Sequence, residues 1–172
     1  MSKVDNPKGH WNKLHAGTRD LKNFALPMIL CNLALEIEHL LDEGYLEKTM
    51  EVCIHEVMEE FYRPELGGII VENIQMDGQL SDSFEGRQIT PGHAIEATVV
   101  YHGLRETFGA FGLIEKAKNT TLTMLDYGWD KEFGGIYYFM DRKDCPPQQL
   151  EWDQKLWWVH IETLISLLKG YH

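Results

Sequence analysis

An internal repeat with an offset of 67 residues is the feature that most constrains how this chain can fold. PELGGI at 64–69 matches KEFGGI at 131–136, and the same offset carries His93 onto His160 without an insertion. Each unit predicts a helix, a Gly-Gly turn with a short strand, a polar loop and a second helix that starts near the histidine. Self-similar helical hairpins are typical of solenoids and of closed α/α rings, in which neighbouring hairpins bury one another's apolar faces.

Apolar residues recur at helical spacing in five stretches, which flank two Gly-Gly segments rich in β-branched and aromatic residues. The helices are predicted at 23–43, 45–62, 91–109, 111–129 and 153–171, and short extended pieces at 68–73 and 135–140. The second helix of each hairpin is the more apolar one and is expected on the inside of a ring. We therefore predict an all-α fold, a partial α/α toroid with short β-like turns, as one domain over 1–172. Its parts are a loop and inner helix at 1–44 and hairpin repeats at 45–110 and 111–172.

The composition excludes several classes of protein. The net charge of −11 argues against nucleic-acid binding, because duplex binding depends on basic contacts to phosphate. No apolar run approaches the ~20 residues that span a bilayer, and the first residues lack the apolar segment of a signal peptide. Cys31, Cys53 and Cys145 form no CxxC motif and are expected to be reduced thiols of a cytoplasmic protein. Cys31 and Cys53 fall in apolar helices and are expected in the core.

The stretch RQITPGHAIE places His93 at the start of a helix, with Glu96 one turn further on. Helix N-terminal N–H groups disfavour an imidazolium there, so the ring is expected to be neutral and able to accept a proton as a general base. Glu96 could orient the ring or bind a ligand hydroxyl. The alternative is a structural histidine that bonds the loop, but the recurrence of a histidine at His160 favours function.

The stretch KLWWVHIE places aromatic rings and a carboxylate on one helix. Trp158 and Glu162 are four residues apart and share a face, with Trp157 on the neighbouring face. Indole faces cover the C–H surfaces of a sugar and a carboxylate accepts bonds from its hydroxyls, although tryptophans at this spacing also serve as core residues. No metal and no cofactor are expected: His93 and Glu96 form at most half of a metal site, MDGQLSD only superficially resembles a calcium loop, and no nucleotide-type glycine loop is present.

The blocks NPKGHWNK, ALPMILCN, PGHAIEA, GGIYYF and KLWWVHIE together resemble the N-acylglucosamine 2-epimerase family over nearly the whole chain. The resemblance implies an α/α barrel of six helical hairpins, and interconversion of N-acetylglucosamine and N-acetylmannosamine, or related aldoses, by movement of the C2 proton. Carried over residue by residue, it makes His93 one of two catalytic histidines. It makes Glu96 and Glu162 substrate contacts or supports for the histidines, and Trp158, with Trp157, the aligned aromatic residues.

The family's second histidine lies on a later helix and a substrate-binding arginine on an earlier one, and the 172 residues contain neither segment. The expectation is therefore a sugar 2-epimerase-like protein in truncated or split form with an incomplete site. Its partners would be a small-molecule sugar and either a second copy or complementing barrel segments, with no nucleic acid and no membrane. Two alternatives stay open: a non-catalytic partner-binding or remnant fragment, and an α/α-toroid glycoside hydrolase that uses Glu96 and Glu162.

Overall fold

The computed structural model describes residues 20–108 and 111–171, and for 102–108 and 111 the backbone alone. The α-helices are α1 (Ala25–Glu36), α2 (Glu43–His55), α3 (Phe84–Arg87), α4 (Pro91–Phe108), α5 (Phe111–Gly128) and α6 (Trp157–Tyr171). The strands are β1 (Leu21–Asn23), β2 (Tyr62–Arg63), β3 (Ile69–Ile70), β4 (Asn73–Gln75), β5 (Gln88–Ile89) and β6 (Met140–Asp141). Each of the five long helices overlaps a predicted one, although several ends differ, whereas α3 is a single turn that the apolar pattern does not predict.

A capping side chain sets the start of α2, and α1 ends several residues before it. α1 ends at Glu36 rather than at 43, and a 3₁₀ turn follows at Glu38–Leu40. The carboxylate of Asp42 then accepts a hydrogen bond from the N–H of Tyr45 (3.2 Å), which satisfies one of the unpaired amides at the start of α2. The predicted helix was too long because it included this 3₁₀ turn and the N-cap of α2.

The start of α6 is also later than predicted, at Trp157 rather than 153. The preceding Lys155 lies 3.0 Å from the Asp130 carboxylate and 3.2 Å over the Tyr137 ring. A hydrogen bond from the backbone N–H of Phe133, supported by Lys155, holds the pKa of Asp130 well below its usual range. This cluster fixes the second Gly-Gly turn to the start of α6, so the residues before Trp157 form a connection instead of a helical turn.

The long helices stand in two rows. α4 packs against α1 on one side and α6 on the other, whereas α2 packs on α1 and α5 packs on α4 and α6. This is the arrangement of inner and outer helices that the repeat predicts. One apolar core lies between the rows, and its largest buried side chains include Phe24, Met50, Phe61 and Tyr101.

The two Gly-Gly turns have the same backbone conformation. Gly67 and Gly68 have φ values of +82° and +85°, and Gly134 and Gly135 have +74° and +83°. These values lie in the left-handed region, where a side chain is strained and glycine is not. Each turn also folds back on the residues before it, as the β2–β3 pair in the first unit and as a Trp129–Ile136 bridge in the second. The repeat thus extends from sequence to backbone geometry, while the division into units at 45–110 and 111–172 stays a prediction.

Short strands join the loops at the end of the helix rows where α1 and α4 begin, which we call the mouth. β1 pairs with β4, and β5 pairs with β6, so residues before α1 and α4 are tied to the loops of the repeats. Arg87 reinforces the second pair, since its Nε donates to the Asp141 carboxylate at 2.9 Å. The positions of the helix starts at the mouth are therefore fixed by backbone pairing.

The buried thiols are in the core, as predicted. Cys31 and Cys53 are both nearly inaccessible, and burial raises the pKa of their thiols to about 12 and about 11. Such thiols stay protonated and unreactive near neutral pH. Cys145 is exposed, and none of the three cysteines forms a disulfide.

The two inner helices at the ends of the row expose apolar faces. α1 exposes Ile29 and Leu33, and α6 exposes Ile161, Leu164 and Leu168 at helical spacing. The inner helix between them, α4, is covered on both sides. Within the described residues, no helix has both the length and the apolar character that crossing a bilayer requires.

Candidate functional site

Pro91, Gly92 and His93 form the first turn of α4 at the mouth. Packing requires a glycine here, because a Cβ at Gly92 would lie 2.7 Å from Val159 Cγ2 and 2.8 Å from Trp158 Cη2 of α6. Only a residue without a side chain lets the two inner helices approach this closely. The approach brings the indole of Trp158 next to His93.

His93 and Trp158 form an aromatic wall. Their ring centroids are 5.8 Å apart with planes inclined by 30°, and Tyr138 meets the indole edge-on at 6.3 Å. His93 keeps about a quarter of its side chain exposed, and Trp158 is partly buried against the core. The predicted pair of histidine and tryptophan is thus brought together on one surface.

Glu72 is a site residue that the sequence analysis missed. It is only 5% exposed, and its carboxylate oxygens lie 3.1 and 3.3 Å from Nδ1 of His93. Asn23 also approaches it, with Nδ2 at 3.4 Å from Oε1. A glutamate inside the apolar run IIVENI was the available signal, because unpaired carboxylates are rarely buried.

Glu96 and Glu162 belong to the same electrostatic environment as His93. Burial raises the pKa of Glu96; His93 lowers it again and Glu162 adds to the rise. Both carboxylates are partly buried, and they lie on α4 and α6, one turn beyond His93 and Trp158 respectively. The structure therefore brings together four of the five predicted site residues: His93, Glu96, Trp158 and Glu162.

Glu96→Gln is expected to raise the melting temperature more at about pH 7.5 than at about pH 4. Because the folded-state pKa of Glu96 is raised, its stabilising contribution is complete below the ordinary glutamate range and is lost as the pH rises through the folded-state pKa. Glutamine stays uncharged throughout and avoids that loss. Thermal unfolding followed by circular dichroism across this range measures the effect. Glu51→Gln, on the exposed surface of α2, is the control, and an equal change at every pH would contradict the expectation.

Trp157 lies apart from this group. It is 76% exposed and shares the outward face of α6 with Ile161 and Leu164. Any segment that packs on this exposed face of α6 would contact the indole of Trp157. Its role as a substrate contact stays a prediction.

His160 has a structural role, which weakens the argument from recurrence. Its Nδ1–H donates to the carbonyl of Leu156 (2.7 Å), and its Nε2 accepts from the N–H of Ile136 (3.1 Å). Both nitrogens are committed to backbone, so the ring ties the second Gly-Gly turn to α6. The repeat carries a histidine to the same position in each unit, but only His93 meets a carboxylate there.

The described residues include no group of three or more His, Cys, Asp or Glu side chains placed to hold a metal ion. His93 and Glu96 are one turn apart, and Glu72 contacts Nδ1 of the ring. The set is suited to proton exchange and to hydrogen bonding of hydroxyls, with an aromatic surface beside it.

Two solved structures with the same fold identify the architecture of the helix rows. The chain superposes on the crystal structure of a D-mannose isomerase with a TM-score of 0.71 at 16% identity, covering 94% of this chain and 40% of that one. It superposes on the cellobiose 2-epimerase from Spirochaeta thermophila DSM 6192 with a TM-score of 0.65 at 14% identity, covering 88% and 38%. The fold is a partial α/α toroid of helical hairpins, as predicted.

Curated relatives share more of the sequence. The N-acylglucosamine 2-epimerase of Rattus norvegicus is 34% identical over 174 residues, which span 97% of this chain and 40% of the relative. That of Homo sapiens is 34% identical over 154 residues, spanning 86% and 35%. The chain thus spans about 40% of the length of such relatives. Since the family model of N-acylglucosamine 2-epimerase (GlcNAc 2-epimerase) matches residues 4–172, the chain belongs to that family.

Proposed function

We propose that this chain takes part in sugar 2-epimerisation, with His93 as the residue that exchanges the C2 proton. The observation that carries the proposal is the placement of His93 at the mouth, between the buried carboxylate of Glu72 and the indole of Trp158. The family and its curated relatives support a sugar as the substrate, either an N-acylated amino sugar or a related aldose.

The chemistry requires a base beside C2 of the open-chain sugar. The base takes the C2 proton, and the electron pair of the C–H bond moves toward C1, so that the carbonyl oxygen becomes the oxygen of an enol or enolate (an enediol or enediolate where C2 carries a hydroxyl). Return of a proton to the same face restores the starting sugar, and delivery to the opposite face inverts the centre. Hydrogen-bond donors near the developing oxyanion lower the barrier to either outcome.

Within the described residues, His93 is the histidine at this site, since both nitrogens of His160 are bound to backbone. Inversion needs a second group on the far face of the sugar. We infer that the 172 residues alone exchange the C2 proton, but that they invert the centre poorly or not at all. This is the incomplete site that the resemblance implies.

The substrate-binding roles follow from the surface beside His93. Trp158 offers an indole face against the sugar's C–H surface, while Glu96 and Glu162 accept bonds from hydroxyls. Trp157 would join only from the outward face of α6.

The test is to incubate the chain with N-acetylmannosamine in heavy water and to follow the C2 proton by NMR. Loss of the C2 signal with little N-acetylglucosamine formed is the expected result. Full epimerisation at enzymatic rates would show that the chain holds its own second acid–base group. Absence of both exchange and sugar binding would favour the non-catalytic remnant, and release of sugar from glycosides would favour the hydrolase.

We also propose that the exposed faces of α1 and α6 take part in association. Each inner helix in a row needs an inner neighbour on both sides, and within the described residues α1 and α6 each have one, α4. The same geometry by which α6 covers α4 would let α6 of one copy cover α1 of another. Complementing barrel segments would bind the same two faces.

Sedimentation velocity is expected to show self-association of the chain, and Leu168→Glu is expected to reduce it. Leu168 is 65% exposed on the apolar face of α6, and a carboxylate there would be desolvated on association. The matched control is Tyr45→Glu, because Tyr45 is 62% exposed on the outer helix α2. A chain that sediments as a monomer at all concentrations would contradict self-association and leave complementing segments as the partner.

A reducing compartment such as the cytoplasm is part of the same proposal. All three cysteines are free thiols, and two of them are buried in the core. Disulfides are rare in cytosolic proteins because thiol reductants keep cysteines reduced.

A further inference from the structure

We propose that Glu72 is a positioning residue for His93: it accepts the hydrogen of Nδ1, and so fixes the tautomer and the orientation of the ring with Nε2 as the nitrogen for proton transfer. The contact joins two side chains that are 21 residues apart in the sequence. The role in catalysis rests on the proposed function, whereas the contact with the ring is tested independently of it below.

The backbone around Glu72 is held from three directions. Its carbonyl accepts from the N–H of Phe24 at the start of α1 (2.9 Å), and its own N–H reaches the carbonyl of Gln88 (3.4 Å). The preceding residue, Val71, is fully buried and donates its N–H to Phe61 (3.1 Å). The carboxylate therefore projects from a segment whose position does not depend on His93, which is what a positioning group requires.

The carboxylate is placed to act on one ring nitrogen. Both oxygens lie within 3.3 Å of Nδ1, and the Asn23 amide, 3.4 Å from Oε1, supports one of them. A carboxylate acceptor requires the hydrogen on Nδ1, which leaves the lone pair of the neutral ring on Nε2. The negative charge also stabilises the imidazolium that forms when Nε2 takes a proton from the substrate.

The other charged groups near the ring differ from Glu72 in position. Glu96 lies one turn along α4, and Glu162 on α6 acts on Glu96. Both are partly buried, whereas Glu72 is 5% exposed. Glu72 is bonded to the ring directly, through Nδ1.

The unmodified chain provides the first test. In a sample labelled with ¹⁵N at the histidine rings, the neutral ring of His93 is expected to carry its hydrogen on Nδ1. The assignment comes from His93→Gln, which removes one set of ring signals. A neutral ring protonated on Nε2 would overturn the proposal without the need for any variant at Glu72.

The second test separates positioning from a merely structural role. Glu72→Gln keeps the size and an acceptor oxygen but removes the charge, so the midpoint of the His93 titration is expected to fall by about 1–2 pH units. Where the unmodified chain exchanges the C2 proton, the pH profile of that exchange is expected to move by the same amount with little change in KM.

The matched control is Asp141→Asn, which neutralises an equally buried carboxylate that binds Arg87 and not His93. It is expected to lower the melting temperature and to leave the His93 titration unchanged. Equal shifts in both variants, or none in Glu72→Gln, would overturn the proposal. Should Glu72→Gln fail to fold, Glu72→Asp keeps the charge at a greater distance and is expected to give a smaller fall. An altered titration without any C2 exchange would leave the contact intact and would reject the proposed function instead.

Discussion

Replacing His93 by alanine is expected to slow incorporation of deuterium at C2 of the sugar by about 10²–10⁴-fold, the range for loss of a general acid–base group. The ring lies at the mouth, and its Nδ1 contacts the Glu72 carboxylate. Truncation of the side chain to a methyl group removes the nitrogen that would take the proton. The rate is measured by NMR in heavy water at saturating N-acetylmannosamine, which separates the chemical step from binding.

Two controls test whether the slower exchange in His93→Ala is caused by loss of the imidazole. His55→Ala changes an exposed histidine on α2 and is expected to leave the exchange rate unchanged. Added imidazole is expected to restore part of the rate in His93→Ala, because the cavity left by the ring is beside the substrate surface and a free imidazole can act as the base. An exchange rate in His93→Ala equal to that of the unmodified chain would assign the proton transfer to another group.

The helices and turns were predictable because their causes are local. Apolar spacing identifies each long helix, and the Gly-Gly pairs identify turns that need positive φ. Prediction failed at two helix ends, where the boundary depends on which side chains meet rather than on apolar spacing. The N-cap at Asp42 and the ion pair of Lys155 with Asp130 depend on side-chain contacts, and the second of these joins residues 25 positions apart.

The candidate site was predictable in its helical half alone. His93 and Glu96 are marked by PGHAIE, and the spacing of Trp158 and Glu162 places them on one face of α6. Glu72 was missed because its contact with His93 exists only after β4 has paired with β1 and the loop has folded over α4. Spacing separates the faces of Trp157 and Trp158 but does not say which face is turned to the site, and the packing of Trp158 against Gly92 decides that.

His160 shows that a repeat preserves position better than it preserves role. His93 and His160 each lie in the first turn of an inner helix, and their partners differ because the loop residues differ. The first loop presents a carboxylate at Glu72, whereas the second presents the N–H of Ile136. Chemistry in one unit and anchoring in the other therefore follow from the loop sequences.

Gly92→Ala is expected to destabilise the fold by about 1–3 kcal/mol, the range for overpacking a filled site. The new methyl group would lie within 2.8 Å of both Val159 and Trp158, two side chains that cannot bend away as a lysine would. α6 must shift away from α4, which also withdraws the indole from His93. Urea unfolding measures the free energy, and a smaller near-ultraviolet circular dichroism signal of the folded protein would report the loosened tryptophan.

Gly112→Ala is the matched control, with the opposite sign. Gly112 lies in the first turn of α5, as Gly92 does in α4, and a Cβ there meets no atom within 4 Å. Because alanine lowers the conformational entropy of the unfolded chain relative to glycine, this variant is expected to be more stable by up to about 1 kcal/mol. Because the two substitutions are chemically identical and occupy equivalent helix positions, their difference isolates the contact between α4 and α6. Equal effects on the free energy of unfolding would mean that Trp158 is not held against the start of α4, and the aromatic wall beside His93 would lose its structural basis.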